Sequence, residues 1–161
     1  MNRRLHLPTV DPAATTPASV DPASLRRALG GRLTGPSDPA VGQCATLAGR
    51  PEQPVVVLHA DETDVHVWVG TGLVRRAPRS SLVAFAGEVP ADLAAVARDA
   101  STFATLVEGQ PVRFLRREPA GALDHGLLVE KCRFGALVER PDGSLVGVGF
   151  RRVWAGTDAV N

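Results

Sequence analysis

The densest run of side chains able to do chemistry is His59-Ala60-Asp61-Glu62-Thr63-Asp64-Val65-His66. If two strands meet at a turn centred on Glu62 and Thr63, His59 stands directly opposite His66, and Asp61 opposite Asp64. Cross-strand neighbours on one face lie about 5 Å apart, close enough for two imidazoles and a carboxylate to share a metal ion. Acidic residues also simply solvate turns, and the strand face carrying the two histidines also carries Val57 and Trp68. No third His or Cys stands at ligand spacing, so metal binding by His59 and His66 is the lesser of the two readings.

Nucleophile and phosphate-loop signatures are missing. The sequence has no G-x-S-x-G, no P-loop and no H-E-x-x-H, and Gly147-Val148-Gly149 lies in a strand pattern with no helix after it. Cys132 has cations beside it in Glu130-Lys131-Cys132-Arg133, which can lower a thiol's pKa, but no histidine is placed next to it. Cys44 and Cys132 give neither a disulfide framework nor a zinc site. Neither an enzyme nor a cofactor is expected. The arginines are the other chemically able group: Arg75-Arg76-Ala77-Pro78-Arg79, Arg113 with Arg116 and Arg117, and Arg151-Arg152. Guanidinium forks suit phosphates and stack on bases, although most of the few aromatic residues are needed for a core.

The elements that must position these groups are mostly strands. Val55 to Ala60, Val65 to Val69, Leu73 to Arg76 and Ser81 to Phe85 read as an antiparallel meander with short turns. Val112 to Arg116, Gly126 to Glu130, Ala136 to Glu139 and Ser144 to Phe150 continue it, with Arg140-Pro141-Asp142-Gly143 as a hairpin turn. Between the two groups, Leu93, Val96, Ala97, Ala100, Phe103, Ala104 and Val107 recur at helical spacing and predict one central helix over 90–107. A faint echo, P-x-x-S-L-V at Pro78–Val83 and Pro141–Val146, hints at two related β units.

Residues 1–53 differ, holding most of the 13 prolines and few large apolar side chains. They are expected to form a flexible tail, in which Val10-Asp11-Pro12-Ala13 recurs as Val20-Asp21-Pro22-Ala23. Asp21 as N-cap, Pro22 as first residue and Gly30 as stop predict one short helix at 22–29. Its Leu25 and Leu29, with Arg26 beside them, form a candidate partner-docking segment, or a frayed turn. Residues 54–155 are expected to form one small antiparallel β-barrel or two coupled ones, and 156–161 a loose end.

The 161 residues carry 18 basic and 17 acidic side chains, a net +1 that excludes a chain basic throughout. All the basic residues but Lys131 are Arg, which codon usage in a GC-rich genome explains without invoking function. Met1-Asn2-Arg3-Arg4 has no apolar run behind it and no window is long enough to span a membrane, so a cytoplasmic location is expected.

Gly109-x-x-Val112-x-Phe114, Gly126-x-Leu128-Val129 and Asp142-Gly143 before Val146-x-Val148-x-Phe150 resemble the small five-stranded barrels of the Tudor and KOW kind. Residues 75–154 also look like a PilZ domain, a bacterial receptor module for cyclic di-GMP. Arg75 to Arg79 is similar to its R-x-x-x-R, and Asp99-Ala100-Ser101-Thr102-Phe103-Ala104 to its D-x-S-x-x-G, with Ala104 in place of the glycine and a helix where that family has a strand. That resemblance implies Arg75, Arg76, Arg79, Asp99 and Ser101 as ligand-binding residues. The leading expectation is a non-catalytic binding or adapter module of a larger bacterial protein assembly. The alternatives are a PilZ-like cyclic dinucleotide sensor and an Arg-lined small barrel that binds nucleic acid.

Overall fold

The computed structural model describes residues 21–70, 72–116 and 121–156. In chain order they form α1 (Pro22–Ala28), β1 (Cys44–Leu47), β2 (Arg50–Ala60), β3 (Asp64–Val69), β4 (Leu73–Pro78), β5 (Leu82–Ala84) and α2 (Ala91–Thr105). There follow β6 (Pro111–Leu115), β7 (Leu123–Cys132), β8 (Gly135–Glu139), β9 (Leu145–Gly149) and β10 (Val153–Ala155). The chain divides into two compact units: an inserted unit, Gly35–Thr105, and a framing unit made of the residues up to Thr34 and those from Leu106 on.

Each unit contains one five-stranded antiparallel sheet, and the two sheets share a topology. The orders are β4-β3-β2-β1-β5 and β10-β6-β7-β8-β9, so in both the last strand returns to the side of the first. A single 3-10 turn makes the return, at Arg79–Ser81 before β5 and at Phe150–Arg152 before β10. The duplication is therefore one of topology. The P-x-x-S-L-V echo does not carry it, because Pro78 ends β4 whereas Pro141 opens the β8–β9 turn.

Two expectations need correction. The sheets are not closed into a barrel: β5 and β10 have three residues each and pair on one side only, leaving two edge strands per sheet. Among the described residues two helices form, α2 inside the expected 90–107 and α1 inside the expected 22–29. Nor is the stretch before residue 54 all tail. β1 and the start of β2 lie in it, and Leu25, Ala40, Ala45 and Thr46 are buried. Small side chains do that burying, which a search for large apolar residues misses. The Val10–Ala13 repeat lies outside the described residues, as does 157–161.

In the inserted unit the core face of the sheet gathers Ala40, Val55, Val57, Ala60, Val65 and Val67, with Leu47, Val69, Ala77 and Leu82 packed against them. Val56 alternates with these and is fully buried on the other face, and α2 packs over β2 and β1. The buried stripe of α2 is Leu93, Val96, Ala100 and Phe103, the i, i+3, i+4 set read from the sequence.

The framing unit buries Val112, Phe114, Leu128, Ala136, Val138, Val146, Val148 and Val153 on its core face. Its other face is half covered by α1, which packs on β8 and β9. Glycines make that fit possible: a Cβ on Gly135 would stand 2.8 Å from Leu29 Cδ2 and 2.2 Å from the Val148 carbonyl oxygen, and one on Gly147 3.4 Å from Leu25 Cδ2. Arg26 donates to both carboxylate oxygens of Glu130, which is almost fully buried. After α1 the chain pairs along the end of β7, with Leu33 N donating to Lys131 O at 2.9 Å and Arg133 N to Gly31 O at 3.0 Å.

Substituting Gly135→Ala should therefore lower the unfolding free energy by about 1–3 kcal/mol through overpacking. Gly149→Ala, where a Cβ meets nothing within 4 Å, should stay within about 0.5 kcal/mol of the parent. Urea unfolding followed by circular dichroism checks both, and equal effects would remove the close-packed glycine floor from the account.

Candidate binding surface

The His59–His66 turn forms in the expected register. His59 pairs with His66 across β2 and β3, and Ala60 with Val65. Asp61 organises the turn by accepting at one oxygen from Asp64 N at 2.8 Å, Thr63 N at 2.9 Å and the Thr63 hydroxyl at 3.2 Å. The two backbone donors hold the Asp61 carboxyl down at about 2. The imidazoles stand 5.6 Å apart, tilted by 59°. Among the described residues no group of three His, Cys, Asp or Glu side chains is placed to hold a metal ion. The acidic side chains here build a turn.

The arginines of the first cluster already hold carboxylates. Arg79 donates to both oxygens of Asp38, at 2.8 and 3.2 Å, and to the Asp61 carbonyl at 2.9 Å, while its main-chain N donates to Thr63 O. That pairing lowers the Asp38 carboxyl below its ordinary range. Arg76 forks onto Asp64 at 2.6 and 3.2 Å. Arg75 is exposed on the edge strand β4. Asp99 and Ser101 lie on α2, and Ser101 Oγ sits where a Cβ on Gly42 would stand 2.0 Å away. Sequence reading missed Asp38 as the partner of Arg79, because nothing local links a Pro-rich loop to a distant 3-10 turn.

In the framing unit the expected docking segment proves to be docked within its own unit. Leu25 and Leu29 face Gly147 and Gly135, and Arg26 is spent on Glu130, so these three residues form no free docking surface. Cys132 is fully buried, and desolvation pushes its thiol up to about 11, the wrong direction for a nucleophile. Cys44 is also shifted up by burial. Lys131, the one lysine, donates from Nζ to Leu106 O at 2.9 Å, and burial lowers its pKa.

The half of this sheet that α1 leaves open is different in character. Along β7 the side chains alternate, with Leu128 buried and Leu123, His125 and Leu127 exposed. Leu123 is 57% exposed, Leu127 47% and the bulge residue Val129 42%. Directly opposed residues share a face, so β6 contributes Leu115 beside Leu123, Arg113 beside His125, and Pro111 beside Leu127. β10 then sets Trp154 beside Arg113. The open surface is an apolar ledge crossed by the row Trp154, Arg113, His125.

The same return of β10 brings two of the three arginine clusters together. Arg152 donates to the carbonyls of Leu115 and Arg116, at 3.3 and 2.8 Å, so Arg151 and Arg152 sit at the Leu115 end of β6, two residues on from Arg113. Arg116 alternates to the other face, with Asp124. Arg117 lies outside the described residues. Asp124 is the neighbouring carboxylate, 3.9 Å from Arg116 and 3.8 Å from Arg140. The strand signal for this surface was present in the alternation Leu123-His125-Leu127. The expected strand began at Gly126, and so lost its first half.

Because the folded chain favours the ionised form of Asp61, the stability it contributes is present above about pH 4 and is lost as pH falls through about 2. Asp61→Asn keeps an acceptor oxygen but removes that titration. The difference in urea midpoint between parent and variant should therefore shrink from pH 5 to pH 2. A constant difference would remove Asp61 from the turn's electrostatics. Among the described residues no helix is long and apolar enough to cross a membrane. No model of a known protein family matches the chain, and no curated protein matches it.

Proposed function

We propose that this chain is a non-catalytic binding module that works through the open half of the framing unit's helix-bearing sheet face. The observation that carries the reading is the exposed row Leu123, Leu127 and Val129 on a single strand, with Trp154 two strands away on the same side. Contiguous apolar surface on a small chain marks a contact site, because leaving it in water forfeits about 25 cal/mol for each Å². The polar clusters elsewhere support the same view, since Asp61, Arg76, Arg79 and Arg26 are occupied in a turn and in ion pairs. A cyclic dinucleotide reading has less support, because it asks Arg79 to leave Asp38.

A photo-crosslinking phenylalanine analogue placed at Leu127 in the organism of origin should capture a ligand. The same group at the exposed Glu52 on β2 should capture none. Adducts at residue 127 that excess unlabelled parent chain competes away support the binding face, and equal yields at both positions overturn it.

A further inference from the structure

We infer that the ligand of this face is a single-stranded nucleic acid, an assignment that rests on the binding-face reading and names its ligand class. Three features of the surface select it.

The first is the row Trp154, Arg113, His125. These residues are directly opposed across β10, β6 and β7, so they stand about 5 Å apart on one side of the sheet. An indole and an imidazole flank a guanidinium, which gives two π surfaces for base stacking and a planar cation that pairs with phosphate or stacks in its turn. The second is the flanking apolar surface. Leu115 and Leu123 lie on one side of the row and Pro111 and Leu127 on the other. Such surface accepts any base face and donates no hydrogen bonds, so it favours stacking over sequence readout.

The third is charge. A chain of net charge +1 sets Arg113 on this face, with Arg151 and Arg152 at the β10 end beside Leu115, and with Glu139, opposite Leu127, as the acid on the same face. A second copy of the chain packed on the same face would bring these arginines against their equals. A polyanion is the occupant that the charge complements. A duplex hides its base faces, so Trp154, His125 and the leucines would gain nothing from it. Only an unpaired strand offers phosphates and open bases together.

The test uses the whole chain and fluorescein-labelled oligouridylate and oligothymidylate of about 20 nucleotides, with a duplex of equal length as comparison. Fluorescence anisotropy should show single strands bound more tightly than the duplex, with affinity falling steeply between about 50 and 200 mM salt. Trp154→Ala should weaken binding by about tenfold or more, and Trp154→Phe should restore most of it. Arg113→Ala, on an exposed side chain whose loss leaves the core intact, should weaken binding and reduce the salt slope by about one.

Equal affinity for the duplex overturns the assignment. So does binding indifferent to both Arg113→Ala and Trp154→Ala. If the photo-crosslink at residue 127 gives a nuclease-resistant protein adduct while no oligonucleotide binds at low salt, the ligand class falls and the binding face stands. Concentration-dependent self-association abolished by Leu127→Glu, without oligonucleotide binding, likewise replaces nucleic acid by a second copy. If residue 127 captures nothing and oligonucleotides do not bind, both readings fall together.

Discussion

The pairing of the last strand of each sheet with the first is the constraint on which the rest of the architecture depends. The other strand pairs follow one another in the chain and close through short hairpins, while β5 and β10 must pass the whole sheet to reach β1 and β6. A 3-10 turn makes each passage, and three residues suffice to fasten it. In the framing unit this fastening sets Trp154 beside Arg113 and Arg152 against the end of β6. Without it the aromatic row would lack its aromatic member, and the arginine clusters would have no reason to meet.

Half-coverage is the second constraint. A sheet of five strands is wider than one short helix, so α1 covers β8 and β9. It reaches β7 only through the Arg26–Glu130 pair and the chain end that follows the helix. The burial of Leu25 over two glycines and the Arg26–Glu130 pair fix where the helix lies. Polar side chains near the expected sites do structural work of the same kind. Asp61 closes a turn, Asp38 holds the strand return through Arg79, and Lys131 satisfies the Leu106 carbonyl. A buried amine spent on a carbonyl and a thiol held at high pKa are poorly disposed towards attack on a substrate.

What the sequence made legible was whatever it encodes locally. The Asp61–Asp64 turn and the His59–His66 register followed from residue type and spacing, and α2 followed from a regular apolar stripe. The Asp142-Gly143 turn lies where its residues require it, with Gly143 at φ 89°. Non-local relations were hidden. Nothing near Arg79 announces Asp38, and Leu25 and Leu29 reveal a helix face without revealing what it covers. The stretch before residue 54 was misread because Ala40, Ala45 and Thr46 bury themselves without bulk. Strand return leaves no periodic trace at all, so open sheets read as barrels and the meeting of the arginines leaves no mark in the sequence.

The discontinuity of the framing unit sets the order in which the chain assembles during synthesis. α1 is made well before the strands it packs on, β8 and β9, which follow the whole inserted unit in the chain. The inserted unit has all its residues together in sequence, and can fold while Leu25 and Leu29 are still exposed. Completion of the framing unit waits for β10, the strand that carries Trp154, so the surface we assign to a ligand is the part of that unit to form last.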